Sequence, residues 1–215
     1  RFWSIENLTH GTPIGIDWAY GYSWLLRNFT RDLTRYPMQS LGEEHLESRT
    51  KSIEQIENIL IKSGENNVLL VGEPGIGKKT IINTFALMIS EGRALPELNY
   101  KRVLDLNMPA MLSYSRDPAE IVTLLARLLH EAMSAGNIIL VLMDVHNYIG
   151  GSAALGSVDI SQALLPYLES SRIQLITTTD VGNYHKYIES RAEFNKVFQK
   201  VTVSEPGKQE TISIL

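Results

Sequence analysis

The sequence predicts an α/β fold, a three-layer sandwich in which a parallel sheet is covered by helices on both faces. Two observations carry this. From residue 50 onward, helical and strand-like segments alternate with short connections, the pattern of successive βαβ units. The run 138–143, Ile-Ile-Leu-Val-Leu-Met, is uninterrupted by charge and rich in branched side chains, as a central strand buried on both faces requires. An irregular, aromatic-rich arm, residues 1–49, is expected to precede this core.

The arm holds all three tryptophans, Trp3, Trp18 and Trp24, together with Tyr20, Tyr22 and Phe29 among Gly11, Pro13, Gly15 and Gly21. Such large aromatic area suits a segment that packs on its own domain, on a neighbouring subunit or on a membrane surface. Residues 50–62 read as a helix leading to a strand at 68–71, and a helix at 78–91 follows a glycine-rich turn and stops at Gly92. Residues 102–106 form the next expected strand. A long helix at 117–135 opens on Asp117-Pro118, with Asp as N-cap and Pro in the first turn, and ends at Gly136-Asn137. After the strand at 138–143 comes a helix at 161–170 that Pro166 should interrupt, a strand at 173–178, a helix at 183–194 and a last strand at 200–203. Ligands of open α/β sheets bind beyond the carboxyl ends of the strands, and the turn after residue 71, Asp144 and Thr179 all fall there.

Composition narrows the function. At 215 residues with 44% apolar residues, the chain has material for one good-sized domain with a buried core. The net charge of −4 is spread along the sequence with no basic stripe, so nucleic acid is not an expected partner. No run is long enough to cross a bilayer, and the amino end is unlike a signal peptide. The absence of cysteine leaves no disulfide framework or thiolate metal site, and a cytoplasmic location is the default expectation. The five histidines show no metal-ligand spacing, and no nucleophile-elbow pattern supports Ser-His-Asp chemistry. A start at Arg1 and an end where a further helix is expected to begin read as a fragment of something longer.

The segment Gly72-Glu73-Pro74-Gly75-Ile76-Gly77-Lys78 follows an apolar strand and opens a helix, the layout of a phosphate-cradling P-loop. In such a loop backbone N–H groups face the phosphates, the lysine reaches the terminal phosphates, and a Ser or Thr directly after it binds Mg²⁺. Lys79 stands at that last position, and Thr80 comes one residue late. One step along a helix turns a side chain by about 100°, so Thr80 should point away from the metal. For Lys79 two readings stay open. Its ammonium neutralises phosphate oxygens near the metal position, or it points to solvent, where a cation at a helix amino end is mildly unfavourable.

Further motifs, in order, resemble the first ATPase module of Clp-type AAA+ unfoldases, the ClpA, ClpB and ClpC group. Residues 30–34, Thr-Arg-Asp-Leu-Thr, look like the family's lead-in, and residues 66–75 like its Asn-Asn strand and Walker A start. Residues 101–106 resemble its second strand, Asp144-Val145-His146 its Walker B end, and residues 184–189 its post-sensor helix, with 198–201 and Glu205-Pro206 closing the module. The resemblance covers residues 29–215 and not the first 28. It implies a P-loop NTPase (AAA+) fold, ATP or ADP as ligand, and a ring of six copies, or of related AAA+ subunits, that threads protein substrates and in some members serves a protease. Residues 50–215 would be the large subdomain, with the helical lid beyond Leu215.

Position by position, the resemblance puts the nucleotide on Gly72, Glu73, Pro74, Gly75, Ile76, Gly77, Lys78, Lys79 and Thr80. It makes Asp144 the metal-associated acid, for Mg²⁺ if retained, and Thr179 the sensor. It also shows losses. Val145 replaces the glutamate that polarises water, and Lys196 and Val197 fall where a neighbour's γ-phosphate arginines are expected. Residues 46–49, Leu-Glu-Ser-Arg, replace the adenine-flanking stretch, Tyr114 stands for the pore-loop aromatic, and Asp105 is expected to cap or pair at a strand end. Losing a general base costs about 10² to 10⁴ in rate and an arginine finger about 10³ to 10⁵. Three functions follow: a ring module with weak or metal-independent nucleotide binding, impaired or absent hydrolysis and a structural or regulatory role, an active ATPase driving protein unfolding, or an interaction module with a vestigial pocket.

Overall fold

The computed structural model describes residues 24–35, 49–149, 159–170 and 172–204. Its elements are α1 (Trp24–Phe29), β1 (Thr30–Asp32), α2 (Thr50–Leu60), β2 (Asn67–Val71), α3 (Lys78–Ser90), β3 (Arg102–Leu106) and α4 (Met108–Tyr114), then α5 (Pro118–Ala135), β4 (Ile138–Leu142), α6 (Ser161–Glu169), β5 (Gln174–Thr179), α7 (Ala192–Val197) and β6 (Phe198–Thr202). The sheet order is β1-β3-β4-β5-β2-β6, parallel throughout except for the antiparallel edge pair β1–β3. Strand alternation sorts the side chains into two layers. Val68, Leu70, Val103, Ile139, Val141 and Ile176 pack with α2 and α3, while Leu69, Val71, Leu104, Leu106, Leu140 and Leu142 pack with α1, α4, α5, α6 and α7. The expected three-layer sandwich is what forms.

Four local expectations are corrected. No regular element was expected before residue 50, yet α1 and β1 lie within the aromatic-rich stretch. Arg102 Nε donates to Asp32 Oδ2 at 3.1 Å in a buried ion pair that fastens β1 to β3. Glu131 accepts from the backbone N–H groups of Leu25 and Leu26, which fixes the start of α1 against α5. A helix at 108–114, α4, was not anticipated; Asn107 caps it by accepting from Ala110 N at 3.1 Å. Pro166 does not interrupt α6, because Gln162, whose carbonyl loses its helical partner to the proline, is exposed. The helix expected at 183–194 is instead a turn (Val181–Asn183) capped by Asp180, a π-helical turn (Tyr184–Ile188) and α7, because the chain is extended at Arg191. The remaining arm residues, with Trp3, Trp18, Tyr20 and Tyr22, and the adenine-flanking residues 46–48 lie outside the described residues, as do Glu205-Pro206.

Candidate functional site

The glycine-rich loop leaves β2 at Val71, and its backbone is built for close approach. Gly75 and Gly77 have φ of 83° and 95°, left-handed values that side chains with a Cβ adopt at a cost. A Cβ on Gly72 would stand 2.9 Å from the backbone oxygen of Val203, where β6 runs alongside. Lys78 folds back over the loop and donates to the carbonyls of Gly72 (2.6 Å) and Glu73 (3.1 Å). Arg49, just before α2, donates from Nη2 to Ile76 O at 2.7 Å and lies against Gly77. Glu73, Pro74 and Gly75 are exposed, and Ile76 is half-buried against the layer under α3. α3 starts at Lys78 with Gly77 as N-cap and no acidic residue in its first turn, so two lysines stand at the positive end of its dipole. The cradle therefore fits an anionic phosphate group.

The other expected residues gather at the same sheet edge. Thr178 Oγ1 accepts from Asp144 N at 2.8 Å and donates to Asp144 Oδ1 at 3.4 Å, tying the end of β4 to β5. Asp144 itself has φ of 50°. Thr179 Oγ1 is hydrogen-bonded to His146 Nδ1 at 3.1 Å, and Thr179 O accepts from Gly72 N at 3.4 Å. Asp180 sits 3.9 Å from His146 Nε2. Burial pushes the Asp180 carboxyl up, but hydrogen bonds from Asn183, with the charges of His146 and Lys78, outweigh this and hold it below the ordinary value. Asp180 and His146 were not singled out as partners of the sensor position; the Asp-X-X-Asn capping pattern at 180–183 was the available signal.

The positions of the expected losses are buried or turned away. Val145 (1% exposed) and Val197 (4%) pack in the layer opposite α3. Lys196 is exposed on α7. Tyr114 ends α4, 69% exposed, its ring edge-on to Phe29 at 5.7 Å. Thr80 is half-buried beside Gly77.

A divalent metal fits less well than a phosphate. Strand alternation continues Ile139 and Val141 into Met143, which packs on the α3 side and puts a thioether 3.9 Å from Thr178 Oγ1, the group that bonds Asp144. Lys79, exposed in the first turn of α3, offers an ammonium and no oxygen. Among the described residues no group of three or more His, Asp or Glu is placed to hold a metal ion.

A glycine loop at the end of β2, flanked by β5 and β6 and leading into a crossover helix, defines the chain as a P-loop NTPase domain with the AAA+ fold. No protein-family model matches it. Among curated relatives it is similar to chaperone protein ClpB of Aquifex aeolicus (strain VF5), 36% identical over 167 residues that cover 78% of this chain and 17% of that protein. It is also similar to ClpB of Dichelobacter nodosus, 32% identical over 214 residues, 99% of this chain and 25% of that protein. The negative regulator of genetic competence ClpC/MecB of Bacillus subtilis (strain 168) is 33% identical over 190 residues, 88% of this chain and 23% of that protein. Among solved structures, an S. cerevisiae Hsp104–ADP complex superposes with a TM-score of 0.74 at 25% identity, over 88% of this chain and 26% of that one. An extended Hsp104–casein complex gives 0.72 at 23% identity, over 88% and 32%. The chain belongs to the Clp-type AAA+ family, and it spans between 17% and 25% of the length of the three curated relatives described.

Proposed function

We propose that this chain is the nucleotide-binding module of a Clp-like protein-remodelling ring, that it holds ATP or ADP on residues 72–80, and that it hydrolyses ATP negligibly. Its role is then structural or regulatory, within a hexamer of its own copies or among related AAA+ subunits. One observation carries this reading: the phosphate cradle keeps its geometry, while Val145 and Val197 sit in the apolar layer on the far side of the sheet from α3. The Val145 side chain has no group to polarise a water, and that of Val197 none to pair with a neighbour's γ-phosphate. A Clp-type relative solved with ADP supports the choice of ligand. The test pairs a titration of ATP with a steady-state phosphate-release assay. Saturable binding with no turnover is expected; turnover of several per minute, abolished by Lys78→Ala, would sink the reading.

A second reading, a slow ATPase, is favoured by Asp144. The sequence expectation gave Asp144 the metal-associated role; in the structure Thr178, two residues beyond Ile176 on the α3 face, bonds Asp144 Oδ1 and lies 3.9 Å from the Met143 sulfur. That leaves its carboxylate to polarise a water. Residual phosphate release that disappears in Asp144→Asn, with binding retained, supports this second reading over the first.

A further inference from the structure

The strongest departure from a metal-assisted phosphate site is a charge arrangement on the α3 side of the sheet. Asp105 follows Val103 by two residues on β3, so it shares the face on which Val103 packs with α3. It pairs in register with Val141 on β4, and Met143 continues the same face two residues further on. From the other side Arg31 of β1 pairs in register with Asp105. Lys79 is exposed in the first turn of α3, near enough for its charge to act on Asp105. Burial pushes the Asp105 carboxyl up, and the charges of Lys79 and Arg31 pull it back. A lysine at a helix amino terminus is unfavourable unless an anion meets it. Asp105 supplies one from within the chain, and a nucleotide phosphate supplies another from without.

We propose that Lys79, in the first turn of α3 directly after Lys78, replaces the divalent cation, so that the loop binds the nucleotide polyphosphate without metal. The ammonium neutralises terminal phosphate oxygens where a hydroxyl at this position hands them a Mg²⁺ ion. The thioether of Met143 fits this assignment, since it would be a poor neighbour for a hard cation and is indifferent to an ammonium. The inference rests on the reading that residues 72–80 bind nucleotide, and the experiment separates the two.

ADP and ATP are titrated calorimetrically into the chain, once with excess magnesium and once with EDTA. The wild type is expected to bind within about twofold under the two conditions, whereas Lys79→Thr and Lys79→Ala lose about tenfold or more in EDTA, the worth of a charge-assisted bond. Lys79→Arg, which keeps the charge, retains metal-free binding. If magnesium tightens wild-type binding by about tenfold or more, or if both neutral variants bind like wild type in EDTA, the metal-free assignment is overturned and nucleotide binding stands. Absence of binding in both conditions overturns both. The wild-type comparison needs no variant, so a misfolded substitution does not rescue the idea.

Discussion

Single residues here are constrained by what lies within a few ångströms, and two make the point from opposite directions. A methyl group on Gly72 would meet the Val203 carbonyl at 2.9 Å, and backbone of a paired strand cannot yield cheaply. Gly72→Ala is expected to lower unfolding free energy by about 1 to 3 kcal/mol, the usual cost of overpacking, measured by urea denaturation. Asp105 works the other way. Its carboxyl is raised by burial, so the ionised form is less at home in the folded chain than in the unfolded one. Stability from this group is fully present below the ordinary carboxylate range and is lost as pH rises through the raised value. Asp105→Asn is therefore expected to melt above wild type at neutral pH, with the gap closing by about pH 4. A gap that persists unchanged into acid would mean that titration of Asp105 is not its source.

At the scale of elements, the edge strand β1 shows how a short polar segment earns its place. Thr-Arg-Asp has no apolar alternation, and only its last residue is buried. What holds it is Asp32, whose one oxygen binds Arg102 while the other accepts from the turn at Thr34 and Arg35. Removing one member of a buried pair leaves the other charge without compensation, so Asp32→Ala is expected to cost about 3 to 5 kcal/mol in chemical denaturation. Little or no loss would show that apolar contacts of α1, not the ion pair, anchor this edge. β1 was illegible in the sequence for the same reason: its partner lies 70 residues away. The buried strands β2, β4 and β5 were legible because continuous apolar character is a local signal. In the candidate site, the glycine loop was readable from its spacing. That Thr178 holds Asp144 follows from the pairing of β4 with β5, 34 residues apart in sequence, which no local window contains.

For the molecule as a whole, the loop that marks the family also links ligand binding to folding. Residues 72–80 join β2 to α3, and their contacts run to β5 through Thr179, to β6 through Val203 and to α2 through Arg49. A ligand seated there bridges parts of both layers, and any species that binds only the folded chain stabilises it by mass action. At about a hundred times its dissociation constant, ADP should add about 2.7 kcal/mol, a rise of about 5 to 10 °C in the melting midpoint for a domain of this size. Among the described residues the hydrogen bonds of Lys78 run to loop carbonyls, so Lys78→Ala should melt near wild type without nucleotide and show no rise with it. The comparison isolates the phosphate cradle, because loss of the rise without loss of the baseline cannot come from general destabilisation. An equal rise in both proteins would place the nucleotide elsewhere and remove the loop from the proposed function.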